Sequence, residues 1–106
     1  MATILLIDDH IELLDIIEDI FIREGFEVVK ASSAGEAIRA ALDHLPDVIL
    51  CDLWLPDYSG RDVRGALAQC VETARIPFGL MTVNALMVPS RGSDTSRASA
   101  ARRSLS

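Results

Sequence analysis

The stretches ILLIDDH (residues 4–10) and VILCDLWLPDYSG (residues 48–60) decide how this chain folds. Each opens with a short run of β-favouring apolar residues that ends in aspartate. An unbroken apolar run of that length suits a strand covered on both faces, as in the middle of a parallel sheet. Open α/β sheets carry their sites beyond the carboxyl ends of the strands. Asp8, Asp9 and Asp52 are therefore expected to meet at one sheet edge.

Such a meeting has chemical consequences. Two carboxylates about 4 Å apart repel by roughly 4 kcal/mol at an effective dielectric of about 20, so three together call for a cation. Magnesium suits the position, because it takes hard oxygen ligands and shares its shell readily with phosphoryl groups. A carboxylate beside such a metal can attack phosphorus and form an acyl phosphate.

Outward from these two stretches, strands and helices alternate. Residues 10–24 place Leu13, Leu14, Ile16, Ile17, Ile20 and Phe21 at helical spacing, with Gly25 as a stop. A second strand is predicted over residues 26–31. Ser33 and Glu36 form a capping-box pattern that opens a helix running to about residue 45. The third strand covers residues 48–52, a helix follows over about 61–73, and a fourth strand spans 77–82. This alternation implies right-handed crossovers and a parallel sheet. The fold class is α/β, a doubly wound flavodoxin-like sheet with four recognisable strands in the order 2-1-3-4.

The acidic pair Asp8-Asp9, Asp52 at the end of a VILCD strand, Pro56 and Gly60 after it, and Thr82 ending a further apolar strand resemble a response-regulator receiver domain. The resemblance covers about residues 3–84. It implies that Asp52 is the phosphoacceptor, and that Asp8, Asp9, Asp52 and the backbone carbonyl of Trp54 bind Mg2+. Thr82 would hydrogen-bond the phosphoryl group and act as the switch. The implied partner is a sensor histidine kinase or a histidine phosphotransfer protein, and catalysis would extend no further than the domain's own phosphorylation and dephosphorylation. Receivers of this kind continue through a fifth strand that ends in lysine and a last helix. Here the only lysine is Lys30, so the resemblance is to a truncated or degenerate receiver. A phosphorylation-independent interaction module, or a non-functional truncated receiver, is the alternative. The third class, a metal-dependent phosphatase, lacks the second acid that would follow Asp52 in a short DxD arrangement.

Charge divides the chain. Residues 1–88 carry 15 acids against 6 Lys and Arg, net −9, while residues 89–106 carry 4 Arg and 1 Asp, net +3. The domain is expected to span residues 1–88, followed by a Ser/Arg/Ala-rich tail, 89–106, that is disordered or weakly helical. An acidic body argues against direct nucleic-acid binding. No apolar run is long enough to span a membrane, and Cys51 and Cys70 read as buried thiols of a reducing compartment. A cytoplasmic protein is expected. An uncovered fourth strand would also offer its edge to a second copy, giving a homodimer. His10 and His44 read as a solvated helix residue and a helix-end residue.

Overall fold

The computed structural model describes residues 1–81. The expectations placed on Thr82 and on the tail lie outside the described residues. In chain order the elements are β1 (Thr3–Ile7), α1 (Ile11–Arg23), β2 (Glu27–Ala31), α2 (Ala34–His44), β3 (Val48–Asp52), α3 (Gly60–Ala68) and β4 (Phe78–Met81). The four strands form one parallel sheet in the order β2-β1-β3-β4, as the alternating pattern implies.

β1 lies inside the sheet, and its alternate residues feed two cores. Leu5 and Ile7 join Ile49 and Cys51 of β3 on one face, beneath Ala34, Ala37 and Ala41 of α2 and Val63 and Leu67 of α3. The three alanines share one side of α2, and their small side chains let its backbone settle close to the strands. On the other face Ile4 and Leu6 pack with Leu14 of α1, flanked by Ile17, Phe21, Phe26, Val28, Val48 and Leu50. Phe21 and Phe26 meet edge to face, their ring centroids 5.5 Å apart, which fixes the turn between α1 and β2.

α1 is more apolar than its contacts require. Only Leu14 is fully buried, and Ile16 and Ile20 stay 60% and 54% exposed. Six apolar positions make a stripe wider than the β1–β2 strip that this helix covers.

Helix ends follow local chemistry. Gly25, at φ +93°, turns the chain out of α1 as expected. Ser33 accepts a hydrogen bond from the Glu36 amide, but the Glu36 carboxylate accepts from Ser32 instead of closing the box. The complete box stands at α3, where the Ser59 side chain accepts from the Asp62 amide and the Asp62 carboxylate accepts from the Ser59 amide. α3 stops at Ala68, short of the predicted residue 73. The buried Thr73 hydroxyl donates to the Leu67 carbonyl at 2.7 Å, capturing an acceptor that a longer helix would need. Cys51 is buried, whereas Cys70, in the turn after α3, is only partly so.

Candidate functional site

Strand register brings the acids together. Ile7 of β1 lies opposite Cys51 of β3, so the next residues along the two parallel strands are Asp8 and Asp52. The Asp8 amide donates to the Ala31 carbonyl at 3.1 Å, extending the β1–β2 ladder by one step and fixing the aspartate at the carboxyl edge. Asp8 is 0% exposed and Asp52 1%.

The two buried carboxylates are incompletely paired. Asp8 Oδ1 accepts from the His10 amide at 2.9 Å and lies 2.8 Å from His10 Nδ1. Asp8 Oδ2 and Asp52 Oδ2 are buried with no hydrogen-bond partner among the described residues. A buried acceptor left unpaired costs about 1–3 kcal/mol, and more when it is charged. Burial and, next, the neighbouring Asp8 charge push the Asp52 carboxyl up to about 6, although a backbone hydrogen bond from Trp54 pulls the other way. The same surroundings act on the buried Cys51 thiol, which burial pushes up to about 12, so it stays protonated. Asp9 stands at the exposed mouth, with its Oδ1 3.2 Å from His10 Nδ1. Hydrogen bonding to Asp8, and then the Asp9 charge, raise the His10 imidazole above its ordinary value.

Asp8, Asp9, His10 and Asp52 each offer one ligand atom within 4.8 Å of all the others. Three of the four are the acids that the sequence brings to this edge. Their buried oxygens, unpaired among the described residues, fit a hard dication, which would neutralise them. Trp54 lies on the loop after β3, where its backbone bridges to Ser59 and the residue is 56% exposed. Thr82 lies outside the described residues.

Three features of the site escape sequence reasoning. His10 directly precedes α1, and its ring turns back onto Asp8 and Asp9. Gly60 is more than a turn former: its amide donates to the Leu53 carbonyl at 2.7 Å, and a Cβ there would stand 2.5 Å from the Asp52 carbonyl oxygen and 2.7 Å from Leu80 Cδ2. Only glycine lets α3 start this close to β3. Asp57 reaches across to α2, accepting from the Ala34 amide at 2.9 Å and the Gly35 amide at 3.1 Å. These backbone donors, Ala34 foremost, hold its carboxyl below the ordinary range. Asp57 thus ties the β3–α3 loop to the start of α2, where the helix dipole favours a carboxylate.

Comparison with known proteins is consistent with this geometry. The family model of the response regulator receiver domain matches residues 4–88. The chain belongs to the response regulator receiver domain family. Receiver domains are signalling modules of two-component systems. This receiver is 43% identical over 67 residues to the transcriptional regulatory protein KdpE of Mycobacterium tuberculosis, an alignment covering 63% of this chain and 30% of that protein's length. It is 30% identical over 84 residues to the polar-differentiation response regulator DivK of Brucella ovis, covering 79% of this chain and 68% of that one. Among solved structures, the receiver domain of sensor histidine kinase PA1611 from Pseudomonas aeruginosa PAO1 superposes with a TM-score of 0.75 at 26% identity, covering 94% of this chain and 78% of that one. That structure has a magnesium ion coordinated in its active-site cleft. Among the described residues, no helix is long and apolar enough to cross a membrane.

Proposed function

We propose that this receiver is the phosphoacceptor module of a phosphorelay. It takes a phosphoryl group onto Asp52 from a phosphohistidine of a sensor histidine kinase or histidine phosphotransfer protein, with Mg2+ as its cofactor. The observation that carries the reading is the pair of buried oxygens, Asp52 Oδ2 and Asp8 Oδ2, unpartnered among the described residues at the carboxyl edge of the sheet.

Mg2+ held by Asp8, Asp9, Asp52 and the Trp54 carbonyl would supply the positive charge that lets a phosphoryl anion approach an acidic pocket. The protein's own residues do the rest. An Asp52 carboxylate oxygen forms the new O–P bond while the N–P bond of the phosphohistidine breaks, and the imidazole nitrogen keeps the electron pair. Asp52 titrates at about 6, so it is ionised and nucleophilic at neutral pH. Thr82 is assigned the hydrogen bond to the transferred group and the switch. The module spans residues 1–88, with 89–106 as its tail, and works in the cytoplasm without direct nucleic-acid contact. The outer edge of β4 is the surface for a homodimer.

Intact-mass analysis after incubation with a small phosphodonor tests the proposal. One phosphoryl group should be gained with Mg2+ present, and none in Asp52→Ala. An Asp52→Ala chain that is labelled as fully as the wild type would overturn it.

A second reading has its own observation. Lys30, the only lysine of the chain, is held 2.9 Å from both Asp15 and Glu18 of α1, so it is committed to a structural ion pair. The family resemblance assigns a lysine to the phosphoryl oxygens, and its loss favours a module that binds its partner without phosphorylation. Partner binding unchanged in Asp52→Ala would select that reading.

A further inference from the structure

The ligand cluster at the sheet edge holds one donor that is not an oxygen. His10 Nδ1 lies 2.8 Å from Asp8 Oδ1 and 3.2 Å from Asp9 Oδ1, and all four ligand atoms of the cluster fall within 4.8 Å of one another. Around an octahedral ion with bonds of about 2.1 Å, adjacent ligands stand about 3.0 Å apart and opposite ones about 4.2 Å. The His10 nitrogen therefore already sits near the spacing of a neighbour in the coordination shell of the ion that Asp8 and Asp9 would hold. The buried Oδ2 atoms of Asp8 and Asp52, unpartnered among the described residues, independently point to a cation.

We propose that His10 is a nitrogen ligand of this pocket, so that the site takes a first-row transition-metal dication, even the hard Mn2+, more tightly than it takes Mg2+. Imidazole suits the later first-row ions best, and even Mn2+, the lowest of them in affinity, accepts it more readily than Mg2+, which gains little from exchanging an oxygen ligand for it. Without an ion Nδ1 lies at hydrogen-bond distance from Asp8, so a metal entering the pocket takes the place of the Nδ1 proton and leaves the tautomer protonated on Nε2; half of that side chain is exposed, so Nε2–H can face water. The local chain geometry supports the arrangement. The His10 amide donates to Asp8 Oδ1, which closes a tight turn and carries the ring over the acids before α1 begins.

The inference rests on the receiver metal pocket argued above, and the experiment separates the two. Mn2+ is titrated into the full chain and pulsed EPR is recorded, with Mn2+ and Mg2+ affinities measured for wild type and His10→Gln. The expected result is a 14N hyperfine coupling from a directly bound imidazole that disappears in the variant. The Mn2+ affinity should fall by about tenfold or more, and the Mg2+ affinity by less than about threefold. Mn2+ binding without nitrogen coupling, or equal changes for both ions, overturns the His10 assignment and leaves the magnesium pocket standing. If neither ion binds, both readings fail. Should the variant not fold, the wild-type spectrum alone decides.

Discussion

Asp52 and Asp57 lie on one short stretch of chain and do opposite work. Asp52 ends β3 in a buried pocket, with one oxygen unpartnered among the described residues and its titration pushed up to about 6. Asp57 lies at the surface, accepts from the amides of Ala34, Gly35 and Tyr58, and titrates below its ordinary value. The first carboxylate is held in a place that penalises its charge, and the second in a place that rewards it. A charge kept against its own stability makes Asp52 the candidate for chemistry, whereas a satisfied charge at a helix start serves architecture. Their glycine neighbours repeat the contrast: Gly60 is pressed against the Asp52 carbonyl, while a Cβ on Gly35 would only touch Asp57 Oδ2 at 3.9 Å.

The largest effect should come from filling the tight side. Gly60→Ala puts a methyl into the Asp52 carbonyl and Leu80, and chemical denaturation should show a loss of about 3 kcal/mol. An unchanged midpoint would mean that α3 does not constrain β3 as described.

Next comes the charge itself. In the folded protein the Asp52 proton is held more tightly than at its ordinary 3.8, so its contribution to stability is full below 3.8 and is lost as the pH rises through about 6. At pH values above that window and without divalent ions, Asp52→Asn should stabilise the fold by about 2 kcal/mol, since it removes a charge that titrates at about 6 against an ordinary 3.8 but leaves a buried amide. The advantage should vanish as the pH falls toward 4. Denaturation curves of both chains across that range check the sign, and a pH-independent difference would refute the burial argument.

Asp57 should behave inversely. Its carboxyl is lowered, so it contributes stability above the ordinary 3.8 that is lost as the pH falls through its folded value. Asp57→Ala should lower the denaturation midpoint at neutral pH and make little difference in strong acid. The smallest effect belongs to Gly35→Ala, which has room for its methyl and should gain about 0.5 kcal/mol from helix propensity. Thermal melts of the two glycine variants side by side would show whether the two carboxylates differ as sharply in packing as they do in charge.

Sequence reasoning reaches the parts of this molecule set by short-range pattern. The apolar runs, the helical spacing and the loop signals lead to the parallel sheet and its order, because each strand's period and each crossover is a local matter. Asp8 and Asp52 are legible for the same reason, being the residues on which two apolar strands end. Asp57 is not legible, because its partners Ala34 and Gly35 lie in another element and only the folded loop brings them within reach. His10 is missed because its role depends on a turn that folds its ring back over the preceding acids. The Gly60 contact depends on the distance between α3 and β3, which no spacing records. The early end of α3 could have been suspected from Thr73, a β-branched residue with a hydroxyl that competes for helix carbonyls. The Ser59–Asp62 box was also open to reading, its pattern masked by the turn residues around it.

The proposed role of the buried Asp8–Asp52 pair is a cation pocket for phosphoryl chemistry. Its most direct test is a Mg2+ titration followed by the fluorescence of Trp54, the only tryptophan, which lies two residues beyond Asp52. The account predicts a saturable change in the wild type that is lost in Asp52→Ala. A flat titration of the folded wild type, or a response that persists unchanged in Asp52→Ala, would contradict it.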